Sequence, residues 1–335
     1  MRAPVRTQRG IALLTAVMIV AIAAAVAVKI AFAHQLWFRQ MENVGDRGAT
    51  DLLRRGALHW ASVALLEDAA QNSVDHLGET WAQPLPPLPV DGGAISVSVE
   101  DAQGRFNLNN LVKANPPSRD DVQYAIFQRL LIELKLDPLL ANALVDWIDA
   151  DSSPSPGGGG AEDVDYLNLK TPYRAANQPL ASVEELRLVR GFDAKTVQTL
   201  LPFVTVLPPG TTTAVNVNTA SPELIAAVAD RDLAWAQRVV DNRQDRPMQN
   251  PGDFTKLLQP PPGARGQAAF PSGLVDVKTS FFLIRLDTSI GRHQRTTVAL
   301  IQRDGKQGTK WVWHKPEPLL NATVVQAPDE SADVR

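Results

Sequence analysis

Residues 1–10, MRAPVRTQRG, run directly into residues 11–28, IALLTAVMIVAIAAAVAV. The first segment carries Arg2, Arg6 and Arg9 and no acid. The second is 18 residues without a charge, with Thr15 its one polar side chain. As a helix the run spans ~27 Å at ~1.5 Å per residue, close to the thickness of a bilayer core. Three arginines ahead of it predict a cytoplasmic N-terminus by the positive-inside rule. A secretory signal peptide would end in a small-residue cleavage site, for which Ala31-Phe32-Ala33 is the nearest match. The pattern beyond His34 argues otherwise. Trp37, Met41, Val44, Leu53, Ala57, Trp60, Ala61 and Ala64 recur at helical spacing, and no proline interrupts residues 5–83. The expectation is a single-pass anchor over residues 11–33 that continues as an amphipathic helix over residues 34–80.

Working outward, the whole chain has 335 residues, 44% of them hydrophobic, enough for an anchor and one or two folded units. Its net charge of −3 provides no basic field for nucleic acid. With no cysteine, disulfides, thiol nucleophiles and thiolate metal ligands are excluded.

Past a proline-rich connector, residues 81–93, the body reads as α+β. Residues 94–100 alternate as a strand, and a turn at residues 101–104 leads to residues 105–109 as its expected partner. Residues 278–289 and 292–302 form a second hairpin around Ile290-Gly291, with residues 311–313 as a further strand. Between them, residues 112–276 read as helical. Ser118 with Asp121 is the expected cap of a helix through Leu134. Asp137-Pro138 opens the helix bearing Leu140, Leu144 and Ile148, and Ser182 with Glu185 opens one closed by Gly191. Asp193, Ser221-Pro222 and Asp232 open three more. The domains expected are therefore a leader (1–10), the two-part helix, a body from residues 81–111 and 277–315, the insertion (112–276) and a polar tail (316–335).

Residues 146–168 hold six acids and no lysine or arginine. Carboxylates crowded this way repel unless solvated or neutralised by a cation, and hard oxygen donors suit calcium. Asp149-x-Asp151-x-Ser153 begins like an EF-hand loop, but Pro154 follows and Gly160 stands where the bidentate glutamate belongs. The expected calcium ligands are Asp149, Asp151, Glu162, Asp163 and Asp165, with a carbonyl near Tyr166; Asp146 is expected to cap or brace the helix. Residues 215–220, VNVNTA, with the short helices after them, resemble the helix-hairpin-helix units of DNA-uptake proteins. The expected hairpin, residues 229–232, has no glycine and two acids, which argues against a phosphate grip. No GxSxG, HExxH or GxxxxGK string supports catalysis. Trp60, Trp147 and Trp235 read as core residues.

Gly10 followed by Ile11-Ala12-Leu13-Leu14-Thr15 resembles a type IV prepilin leader, cut after the glycine and methylated at the new N-terminus. Pilins usually carry glutamate at the fifth mature position; here it is Thr15. Lacking that acid resembles the K subunits of type II secretion systems. The strings GRFNLNNL (104–111), DWIDAD (146–151), AEDVDY (161–166) and VNVNTASPEL (215–224) look like landmarks of that family in order. The resemblance implies a pilin-like spine helix, a small antiparallel sheet and a large all-α inserted domain that can bind calcium. It also implies a minor pseudopilin in the inner membrane with a periplasmic body. Its partners would be the minor pseudopilins I and J, with H and the major pseudopilin G, a prepilin peptidase and the inner-membrane secretion platform, and no nucleic acid. A minor pilin of a type IV pilus is the neighbouring reading.

Overall fold

The computed structural model describes residues 9–114, 117–210, 212–258, 270–291, 293–305 and 308–317. Most of the leader and of the polar tail therefore lie outside the described residues.

One helix, α1 (Arg9–Gln71), runs 63 residues, about 95 Å at 1.5 Å per residue. Its residues 11–45 are all exposed. Packing begins one turn later, where Thr50, Arg54, Leu58, Ala61, Ser62 and Leu65 are buried at steps of four, four, three, one and three. The helix ends at Gln71, short of the expected residue 80. Asp75, one turn beyond that end, is tied into the body, its N–H donated to the Val277 carbonyl at 2.8 Å. Trp60 is half exposed and lies on the free side of the helix, which corrects its expected place in the core.

The connector contains a short strand, β1 (Leu88–Val90), and is followed by β2 (Gly93–Asp101). A helical domain intervenes. Its helices are α2 (Asp121–Glu133), α3 (Leu140–Ile148), α4 (Asp163–Leu167), α5 (Ala194–Leu200), α6 (Pro222–Ala229), α7 (Leu233–Asp245) and α8 (Pro251–Leu258). Short strands β3 (Phe106–Asn107), β4 (Val112–Ala114), β5 (Pro117–Arg119), β6 (Val204–Thr205), β7 (Val215–Asn216) and β8 (Val275–Asp276) stitch it together. The chain then completes the sheet with β9 (Phe281–Ile290), β10 (His293–Asp304) and β11 (Gly308–Glu317).

The five-stranded sheet has the order β1-β2-β9-β10-β11, with every neighbouring pair antiparallel. Asp101 at the end of β2 pairs with Phe282 at the start of β9. The inserted domain thus leaves and returns at neighbouring points, so holding its two ends together costs little loop-closure entropy beyond the sheet itself. One face of the sheet, with Ile95, Val97, Phe282, Ile284, Leu286, Ala299 and Ile301, buries Leu58, Ala61 and Leu65 of α1.

The expected hairpin between residues 94–100 and 105–109 is not formed. β2 pairs with β1 and β9, while β3 lies parallel to β6. Phe106, Leu108 and Leu111 are fully buried in the core of the helical domain, so the alternation there reflects a chain entering a second core rather than a returning strand. The asparagines between them act as latches: Asn109 exchanges two bonds with the backbone of Leu180 and donates to the Leu207 carbonyl. Gly104 fits because a Cβ there would come within 2.8 Å of Thr219 Oγ1. The expected second hairpin and the strand at Trp311 are present as β9, β10 and β11. At α2 the cap is Asp120, not Ser118: its Oδ1 accepts the N–H groups of Val122 and Gln123 at 3.0 and 3.1 Å. Asp193, Ser221 and Asp232 cap α5, α6 and α7 as their sequence positions suggest.

Candidate metal centre

Helix α3 is apolar on nearly every side and is buried from Ala141 to Ile148. Asp146 sits within that helix with no exposed surface. It braces the following loop at two points, accepting the Ser155 N–H at 3.0 Å and the Ala161 N–H at 2.8 Å. Asn142, one turn earlier, donates to the Gly158 carbonyl at 2.6 Å, and its own Oδ1 accepts the Tyr124 hydroxyl. Between these braces Gly157, Gly158 and Gly159 adopt φ of 97°, 90° and 79°, a region that side chains rarely enter. At Gly160 a Cβ would collide with the Asp146 carboxylate. The glycine run is thus what lets the loop fold back over α3.

That fold brings three carboxylates together. One oxygen from each of Asp149, Asp151 and Glu162 lies within 4.8 Å of the other two. Glu162 is 3% exposed. Both its oxygens, and Oδ1 of Asp149, are buried without a hydrogen-bond partner. Buried acceptors are almost always paired, so three orphans at one point mark a place where a cation could be held. Burial, helped by the neighbouring acids, pushes the Glu162 carboxyl up to about 7 and that of Asp149 up to about 6. Three hard anionic oxygens with no nitrogen or sulfur ligand fit calcium, which takes the rest of its shell from carbonyls and water.

Asp163 and Asp165 are not brought to this point. Asp163 binds the Arg174 guanidinium at 3.0 Å and the Ala175 N–H at 3.0 Å. Asp165 pairs with Arg190 at 2.7 Å and accepts the Glu162 N–H at 3.1 Å. The Tyr166 carbonyl is engaged by the Leu169 N–H at 3.3 Å. Trp147 stacks edge-on against Tyr166 with ring centres 5.1 Å apart, a buried aromatic wall under the loop.

A second acidic cluster, unforeseen from the sequence, joins Asp68, Asp75 and Glu79 within the same 4.8 Å limit. Here Arg303 bonds Asp75 and reaches Asp68 at 3.2 Å. Glu79 accepts from Asn72, the His76 N–H and the Trp81 indole at 2.8, 3.0 and 2.8 Å. In the helix-hairpin-helix-like unit, Asp232 caps α7 and Asp230 pairs with Arg129 of α2 at 3.2 Å. The hairpin is therefore engaged in packing against its own domain.

Two segments, residues 104–209 and 215–277, match the family described as type II secretion system (T2SS), protein K. The type II secretion system protein K of Pseudomonas aeruginosa is 36% identical, over 90% of this chain and 91% of the relative. That of Klebsiella pneumoniae is 32% identical, over 89% and 94%. The fold is similar to a chain in the crystal structure of the GspK–GspI–GspJ complex from enterotoxigenic Escherichia coli. That match has a TM-score of 0.68 and 29% identity, over 79% of this chain and 95% of that one. Matched over about nine-tenths of its length by these relatives, the chain belongs to the type II secretion system protein K family.

Proposed function

We propose that this minor pseudopilin sits at the tip of the secretion pseudopilus, joined there by the minor pseudopilins I and J, and initiates or caps the filament. The observation that carries the reading is α1, a single helix whose exposed apolar half is long enough to cross a membrane while its other half is built into the folded body. Such a helix can hand a subunit from bilayer to filament without refolding. Thr15 contributes too. Its hydroxyl is satisfied inside the helix, by the Ile11 and Ala12 carbonyls at 3.1 and 3.0 Å, and it carries no charge to neutralise a neighbour's terminal amine. A first subunit, with no earlier neighbour, needs none. The complex of GspK, GspI and GspJ from the related system supplies the partners; H, the major pseudopilin G and the inner-membrane platform would follow in assembly. The role is assembly, with no catalytic step assigned.

In the same reading, prepilin peptidase cuts between Gly10 and Ile11, Ile11 is methylated, and the body is periplasmic on a single inner-membrane anchor. Calcium held by Asp149, Asp151 and Glu162 stiffens the helical domain. Mass spectrometry of the membrane-extracted chain tests the processing step: a methylated terminus at Ile11 is expected, and a terminus near His34 would refute the pilin-like pathway.

A further inference from the structure

Helices α7 and α8 and the Pro247–Met248 connector enclose an open groove of about 800 Å³. Its apolar lining is Trp235, Val239, Met248 and Leu257, and three arginines line it: Arg238 and Arg243 on α7 and Arg246 just past its end. Among the described residues none of the three has a carboxylate partner. Arg243 is 6% exposed and spends its terminal N–H groups on neutral acceptors, the carbonyls of Val217 and Ala220, both at 2.5 Å. A buried guanidinium bonded only to carbonyls keeps its full positive charge, and burial alone pulls its pKa down to about 10. Arg238 and Arg246 are exposed and lie eight residues apart, the second one residue past the end of α7, a separation of about 12 Å at the helical rise. Of the two lining acids, Asp253 is held by Lys256 at 3.0 Å and by the amides of Gln249 and Asn250.

We infer that this groove is a docking site for an extended acidic–apolar segment of a partner protein. The apolar side chain would lie against Trp235 and Met248, while carboxylates three or four residues apart would reach Arg238 and Arg246, since an extended chain advances about 3.3 Å per residue. Charge complementarity selects a peptide over a polynucleotide. Asp245 and Asp253 share the lining, and residues 216–258 hold five Lys/Arg against six Asp/Glu. A phosphate backbone, with a charge every ~3.4 Å per strand, needs a continuous basic track instead. The site is independent of both the calcium reading and the tip reading, because none of its residues belongs to either.

The test is to pan a random seven-residue phage library on the full-length chain in detergent. Selected peptides are then measured by fluorescence anisotropy on the wild type, on Arg238→Glu/Arg246→Glu, and on Lys195→Glu as a distant control. The expected result is enrichment of Asp or Glu flanking Leu, Phe or Trp. Binding should weaken at least tenfold on the double variant, and the control should be unchanged. Both arginines are exposed, so an unaltered melting curve confirms that the variant folds. Selection without acidic enrichment, equal binding by the double variant, or equally tight binding of a twelve-nucleotide DNA strand would each overturn the inference.

Discussion

The two acidic clusters of this protein hold three carboxylates each, within the same 4.8 Å limit, and behave oppositely. At the end of α1, Asp68 and Asp75 meet Arg303, itself 6% exposed, and Glu79 meets three neutral donors. Beside α3, Asp149, Asp151 and Glu162 meet no cation among the described residues, and three of their oxygens have no donor. The first cluster is completed by the protein; the second leaves three oxygens open to a bound cation. Crowded acids do not by themselves suggest a metal site. The unanswered oxygens do.

Removing a partner should separate the clusters most sharply. Arg303→Met leaves Asp75 buried without its counter-charge, which costs about 3–5 kcal/mol. The melting midpoint should fall by of order 10 °C, equally with and without calcium. A fall that calcium reverses would mean that the first cluster also binds the ion.

Calcium removal should act on the second cluster alone. A site saturated at a hundredfold excess over its dissociation constant contributes about 2.7 kcal/mol, so adding chelator should lower the midpoint by several degrees. Glu162→Gln and Asp149→Asn should abolish that difference, whereas Asp75→Asn, although destabilising, should leave it intact.

The pH dependence sharpens the contrast. In calcium-free protein Glu162 is raised from 4.5 to about 7 and Asp149 from 3.8 to about 6. The folded state therefore holds protons that the unfolded state releases. The associated stability is present below about pH 4 and is lost as pH rises through 6 to 7. Other carboxylates favour the opposite trend, so the readout is the difference from Glu162→Gln. Wild type should lose more stability than this variant between pH 5 and 7.5 in chelator, and calcium should remove the gap. Parallel curves would contradict the burial of Glu162.

The smallest effect is expected outside both clusters. Asp163 pairs with Arg174, which is 75% exposed, a contact worth under about 1 kcal/mol. Asp163→Ala should leave the calcium shift in place; losing it would return Asp163 to the ligand set.

Much of this was legible in the chain. The uncharged run with its amphipathic continuation marks α1, and Asp193, Ser221 and Asp232 announce their helices because a cap acts on its own next turn. What was not legible depends on residues far apart. The alternation at Phe106 and Leu108 resembles a strand, but which core buries it is decided by residues such as Val204 and Phe127. Asp149, Asp151 and Glu162 could be read as candidate ligands from composition. That Asp163 and Asp165 stand apart from them, paired with Arg174 and Arg190, could not, because those arginines reach them only after folding. Arg303 lies 228 residues from Asp75, and no local pattern joins them.

The central claim is that α1 delivers this subunit into a tip assembly with I and J. Full-length protein, co-expressed with the I and J pseudopilins and extracted in detergent, should yield by native mass spectrometry a 1:1:1 complex. Each chain should be present once, and its own terminus should begin at Ile11. A homopolymer of this chain, or its recovery in many copies along the filament, would contradict the account.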